Sequence, residues 1–296
     1  MIRHDCAPVS SRLAAIGESP LWSEREQAVY YIDCNAPALY RLTPATGEER
    51  AWKMPCRIGG VVLSESGPVV ALKTGIFALD PIDGSLTEIA PAPLNDTALA
   101  LHEARCDPAG RLWVGVINLG YVSHGKRGGA ELFRLDGGRL VSCAEAAGGT
   151  VSNGLAWSRD GSTLYYADTA ERIIWAFDYD VATGSVGRRR EFHRLPEGMG
   201  VPDGATVDSE DGYWFACAGA GRLRRLAADG TLEHEFTTPC DWPTKPAFGG
   251  PQLETVFVTS LSIRGAKPGK EELEGRLFAM PAPVRGLTET LFKAIV

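Results

Sequence analysis

Three polar residues, Glu18, Asn153 and Asp203, stand at the same place in three copies of one short frame. The copies read GESPLWSEREQAVYYID, SNGLAWSRDGSTLYYAD and PDGATVDSEDGYWFACA. An apolar residue follows the polar one four positions on (Trp22, Trp157, Val207), then Ser or Asp (Ser23, Ser158, Asp208), a tight turn and an apolar run. Two carboxylates and an amide oxygen gathered in one partly desolvated place repel one another unless a cation sits among them. Oxygen donors suit a hard divalent ion such as Ca2+, Mg2+ or Mn2+, and Zn2+ or Fe2+ also accepts them. Three protein ligands leave positions for water and substrate, which marks a catalytic ion more than a structural one. Each residue alone has a plainer reading, since Asn153-Gly154 and Asp203-Gly204 are dipeptides that turns favour. Their coincidence in one phase is what favours a cation site.

His102 fills the same place in a fourth copy, LHEARCDPAGRLWVG. It is expected either to touch substrate or metal, or to be a buried structural histidine. The pair His102-Glu103 also begins a zinc-helix motif, HExxH, but residue 106 is Cys where the second His is needed. The setting is strand and turn, where that motif needs a helix. On a regular strand Glu103 faces away from the other polar residues and pairs with Arg105 or Arg111. Two weaker copies, IGGVVLSESGPVVAL and TKPAFGGPQLETVFV, put Gly59 and Lys245 at the polar place. Lys245 precedes Pro246, which favours extended backbone there. It is expected to hold a substrate oxygen or to pair with one of the carboxylates.

The elements that must position these residues are short strands. Runs such as AVYYID, RLWVGVI, TLYYAD and YWFACAG are bounded by turn residues, and no segment keeps a helical period over three turns. Six copies at intervals of roughly 40 to 50 residues match the period of four-stranded propeller blades. Each copy adds a third strand, as in ALYRLTPATGE and IIWAFDYDVATG. The expected fold is therefore all-β: one six-bladed β-propeller of four-stranded blades over residues 1–296, its ring closed by an N-terminal strand near Val9–Ala14. The polar place then begins each innermost strand, and six such places ring one end of the central channel.

A net charge of −7 and a pI near 5.4 argue against nucleic-acid and anionic-membrane partners. The one basic run, residues 187–191 (GRRRE), reads as a solvated strand edge. No stretch of 18 apolar residues occurs, the start (MIRHDCAPVSSRLA) lacks a signal-peptide core, and seven cysteines form no CxxC pair. A cytoplasmic protein with reduced, buried thiols is expected, as a monomer or weak homo-oligomer.

The stretches GESPLW, CDPAGRLWVG, SNGLAWSRDGSTLYYADT, PDGATVDSEDGYWFA and KPAFGGPQLETVFVTS resemble, in order, the gluconolactonase, regucalcin and luciferin-regenerating-enzyme family, from about Gly17 to Ser260. The resemblance implies a six-bladed propeller with one divalent cation and, in most members, hydrolysis of sugar lactones. It carries the metal-ligand positions onto Glu18, Asn153 and Asp203. Asp203 becomes the candidate base, with activation of water by the cation itself as the alternative. His102 and Asn118 are expected to orient sugar hydroxyls, and residues 118–129 to form a loop over the site. Many members have Arg-x-Asn-Asp-Gly where this chain reads ALHEA at 100–104, so Ala100 replaces a sugar-contacting Arg and His102 an Asn. Gly120 stands where some members have an acidic residue. Retained chemistry on a changed substrate is implied: an aldonolactone, or an aldarolactone whose second carboxylate meets Lys245 or Arg105. A cation-binding propeller without turnover and a phosphotriester hydrolase are the alternatives.

Overall fold

The computed structural model of the protein describes residues 6–265 and 269–293. Six four-stranded antiparallel sheets follow one another around a ring, five built in simple sequence order and the sixth completed by a strand from the N-terminal segment. Their innermost strands are Gly17–Ser23, Ile58–Ser64, Leu99–Cys106, Ser152–Trp157, Val201–Val207 and Pro243–Gly249, which begin blades 1 to 6. The expected six-bladed propeller is thus the observed fold.

Burial explains why the sequence alternates so little near the centre. The two inner strands of each blade are covered on both faces, so Ala28–Asp33 and Tyr213–Ala218 are buried throughout. The fourth strands alternate and carry the charge. The basic run lies on one of them, Ser185–Arg194, where Arg190 pairs with Asp178 and Arg189 stacks over Trp175. The core consists of one apolar cluster for each pair of neighbouring blades. Trp113, Leu132, Trp157 and Phe177, for example, fill the space between blades 3 and 4.

The Ser or Asp of the repeated frame stands at the turn that ends the inner strand in blades 1 to 5, with Gly250 in its place in blade 6. Asp208 accepts from the backbone N–H groups of Glu210 and Gly212, and Ser158 accepts from Thr163 N–H. The frame is therefore structural at one end of the channel, which leaves the other end to the polar place.

Two chain ends close the ring. The outer strand of blade 6 is Ala7–Pro8, slightly before the expected segment, paired with Phe278 and Ala279. Val9 and Ala14 extend the contact through single bonds to Leu277 and Gly275. Proline and the solvent-facing edge limit the strand to two residues. Near the other terminus, residues 286–293 run across the far end of the channel, bridging to Asp208 of blade 5 and Ser64 of blade 2. All seven cysteines are free thiols, and no helix among the described residues is long and apolar enough to cross a membrane.

Candidate active site

Every inner strand is irregular where the polar residue sits. The ladder slips between Glu18 and Leu21, Ile58 and Gly60, His102 and Ala104, Asn153 and Ala156, Pro202 and Ala205, and Pro243 and Lys245. In three blades the residue after the polar one is left-handed: Ser19 at φ 47°, Glu103 at φ 50° and Gly154 at φ 61°. Such bulges re-aim side chains and leave local strain, and both concentrate at functional sites. In blade 5 Asp203 itself lies in the bulge. Blade 2 contributes no side chain here, because Leu101 O lies only 2.0 Å from where a Cβ on Gly59 would stand.

These bulges overturn one expectation. Glu103 does not face away, and its partner is neither Arg105 nor Arg111. It is buried with its Oε1 accepting from Lys245 Nζ at 2.9 Å. The left-handed backbone at Glu103 breaks the alternation that a regular strand imposes. Lys245 is buried too, packed where a Cβ on Gly204 would stand. Its partner is a carboxylate, but Glu103 instead of the ring carboxylates Glu18 or Asp203 that the repeat phase offered.

Glu18 is buried and accepts from Ser19 N–H at 2.8 Å. Burial, reinforced by the charge of Glu103, pushes its carboxyl up to about 7. Asp203 is only partly buried by area, yet desolvation and the charges of Glu18 and Glu103 hold it well above the usual carboxylate range. Glu18, Asp203 and Glu103 thus feel one another, and Lys245 is the ammonium set among them. Three carboxylates face one ammonium, with the guanidinium of Arg57 also acting on Glu18, so the cluster keeps a net negative charge that a divalent cation would offset.

The third predicted ligand is oriented by a residue that the sequence did not single out. Asn153 Nδ2 donates to Thr169 Oγ1 at 2.9 Å, and Thr169 Oγ1 donates to Pro202 O at 2.7 Å, beside Asp203. This fixes the amide, and Asn153 Oδ1 is left buried with no well-aligned hydrogen bond, its side chain meeting only a weaker contact with His102. Tyr213 holds the bulge below it by donating to Gly154 O at 2.8 Å. An orphaned amide oxygen and two carboxylates crowded against their own charge fit a divalent cation. No group of three His, Cys, Asp or Glu side chains among the described residues forms a cation site by itself, so an all-His/Cys/carboxylate centre is not present there. The expected donor set differs from that kind, having two carboxylates and an amide.

His102 is buried, with Nδ1 unpartnered. Burial pulls its pKa down to about 3, and the charges of Arg57 and Lys245 act in the same direction. It is a neutral donor or acceptor beside Asn153.

Asn118 serves the neighbouring loop. Its Oδ1 caps a short helix, Leu119–His124, at Gly120 N, and its Nδ2 donates to Gly128 O at 2.7 Å. The expected loop therefore opens with a helix, whose Leu119 and Tyr121 pack over buried Ala100. Arg105 is not brought to the cluster. It donates to Ala205 O at 2.9 Å and pairs with Glu289 of the closing tail at 2.6 Å. It lines a cavity of about 360 Å³ toward the far end of the channel, with Trp22, Leu63, Cys106 and Leu291. That cavity shares Ser19 and Lys245 with the cluster.

Comparison with known proteins agrees with this architecture. Residues 16–262 match the model of the SMP-30/Gluconolactonase/LRE-like region. A 6-deoxy-6-sulfogluconolactonase of Pseudomonas putida is 36% identical over 286 residues, 94% of this chain and 95% of the relative. A pentonolactonase of Haloferax volcanii is 31% identical over 280 residues, 93% of each. Among solved structures, the calcium-binding protein regucalcin of Agrobacterium tumefaciens superposes with a TM-score of 0.92 at 23% identity, covering 99% of each chain. A luciferin-regenerating enzyme superposes at 0.90, also at 23% identity, covering 98% of this chain and 100% of that one. With the blades, the bulged inner strands and the matched span all in agreement, the chain belongs to the SMP-30/gluconolactonase/LRE-like family.

Proposed function

We propose that the protein is a divalent-cation-dependent hydrolase of sugar lactones. The observation that carries the reading is the cluster itself: burial and the charge of Glu103 raise both Glu18 and Asp203, Glu18 raises Asp203 further, and beside them Asn153 Oδ1 is a buried amide oxygen with no well-aligned hydrogen bond. The named activities of the sulfogluconolactonase and pentonolactonase relatives support a cyclic sugar ester as substrate.

Glu18, Asn153 and Asp203 would hold the cation. When bound, the cation supplies Lewis-acid polarisation of an ester carbonyl and a counter-charge for the oxyanion that develops. Asp203 is the part-exposed member, and its raised pKa suits it to accept the proton of the attacking water. Water adds to the carbonyl carbon, the bond to the ring oxygen breaks, and that oxygen takes up the proton from Asp203. The product is the open hydroxy acid. His102, neutral at working pH, is suited to hydrogen-bond a sugar hydroxyl without competing for the cation's charge. Asn118 contributes by holding the short helix at Gly120 and the loop at Gly128, beside the inner strand that carries His102.

The test is acid release from a lactone panel by cation-stripped protein refilled in turn with Ca2+, Mg2+, Mn2+, Fe2+ and Zn2+. Turnover that depends on the added ion supports the reading. Stoichiometric cation binding without acid release on any lactone leaves a binding propeller, and faster hydrolysis of organophosphates than of lactones leaves a phosphotriesterase.

A further inference from the structure

The two cations that the sequence offers for a second substrate charge are both engaged. Lys245 is spent on Glu103, and Arg105 faces the far cavity with Glu289. A third cation stands at the cluster instead. Arg57 immediately precedes the inner strand of blade 2 and reaches across to blade 1, where its Nη1 donates to Asn35 Oδ1 at 3.0 Å. Asn35 follows Asp33, which pairs with Gly17, so this contact lies at the same end of the channel as Glu18. The charge of Arg57 reaches both Glu18 and His102.

Arg57 nevertheless takes part in no ion pair among the described residues. Its Nε is buried and has no hydrogen-bond partner. A half-buried guanidinium whose Nε is desolvated without an acceptor is costly, while its outer edge stays open to a further partner. The planar fork matches an oxyanion such as a carboxylate, which can accept two of these bonds at once. A site whose own carboxylates repel anions needs such a residue before it can admit an anionic substrate.

We propose that Arg57 determines specificity by gripping an oxyanion on the sugar lactone, at the end remote from the ester, so that the preferred substrate is an anionic lactone. This rests on the lactonase reading. It places the second-charge contact on Arg57 in preference to Lys245 or Arg105.

The experiment compares kcat/KM for glucono-1,5-lactone with that for a glucaric acid monolactone and for 6-phosphogluconolactone, in wild type, Arg57→Ala and Arg57→Lys. Wild type should favour the anionic lactones, and that preference should weaken with added salt. Arg57→Ala should cut the anionic-to-neutral ratio by about 10- to 100-fold, mainly through KM, with Arg57→Lys in between. Response to only one of the two anionic lactones identifies carboxylate or phosphate as the group read. A ratio unchanged in Arg57→Ala, or equal losses on all three lactones, overturns the proposal. Calorimetric binding of glucarate and gluconate to the same proteins separates the two readings. If no lactone is opened but wild type prefers glucarate and Arg57→Ala does not, the lactonase reading fails and the role of Arg57 stands. If lactones are opened but neither kinetics nor binding distinguishes charge, the lactonase reading stands and the role of Arg57 fails.

Discussion

Lys245 Nζ donates to Glu103 Oε1 at 2.9 Å, which ties blade 6 to blade 3 across the ring between residues 142 positions apart. Both residues are buried, and Glu103 Oε2 has no partner of its own. Breaking a buried pair costs more than the pair contributes, because the survivor is left charged and unpaired. Lys245→Met should therefore destabilise the protein by about 3–5 kcal/mol. Adding Glu103→Gln should restore most of that loss. Melting curves of the two single variants and the double variant check this, and additive losses would show that the residues do not act as a pair.

Thr169 decides which atom of Asn153 is left free. Thr169→Val removes the acceptor for Asn153 Nδ2 and lets the amide turn. Losing an outer-shell partner of this kind weakens cation binding by about 10- to 100-fold. Thr169→Ser keeps the hydroxyl and should bind nearly as wild type. Calorimetric titration of stripped protein with Ca2+ or Mn2+ gives the answer, and equal affinities in all three proteins would remove Thr169 from the site.

Asp203→Ala should lower lactone turnover by about 100-fold or more through loss of the proton acceptor alone. The ring of blades should persist, since Asp203 sits in a bulge outside the ladder. Near-normal turnover in the purified, folded variant would take Asp203 out of the chemistry.

Stability should depend on pH through Glu18. Its carboxyl is raised from about 4.5 to about 7 on folding, chiefly by burial. A carboxyl raised in this way contributes stability that is complete below its unfolded value and is lost as pH rises through the folded one. The cation-free protein should accordingly melt at lower temperature as pH rises from about 4.5 through about 7. Cation binding runs the other way, because the ligands must be ionised, so the increase in melting temperature on adding Ca2+ or Mn2+ should grow over the same interval. Glu18→Gln should weaken both trends, with the raised Asp203 accounting for what remains. A cation-free profile identical in wild type and Glu18→Gln would contradict the assignment.

The sequence by itself determined the fold and the phase of the site. The period of the frame is local information: each copy encodes an inner strand, a capped turn and a second strand, and six copies close a ring. Because every blade repeats the same geometry, equal positions in the frame come to equal places on the channel. Glu18, His102, Asn153, Asp203 and Lys245 therefore share one phase of the frame, which the sequence alone displays.

Only the tertiary structure decided where Glu103, Thr169, Arg105 and Arg57 stand. Period-two alternation sent Glu103 outward, whereas one left-handed residue turns it onto Lys245. A run of residues does not reveal such a bulge when the residue is not glycine. Thr169 and Arg57 lie outside the frame, in connections between strands: Thr169 reaches Asn153 within its own blade and Pro202 of the next, and Arg57 reaches Asn35 of the neighbouring blade. Arg105, two residues beyond Glu103, belongs to the other end of the channel. Repetition makes each blade predictable from local sequence, while charge pairing across a ring depends on contacts between blades that no single repeat encodes.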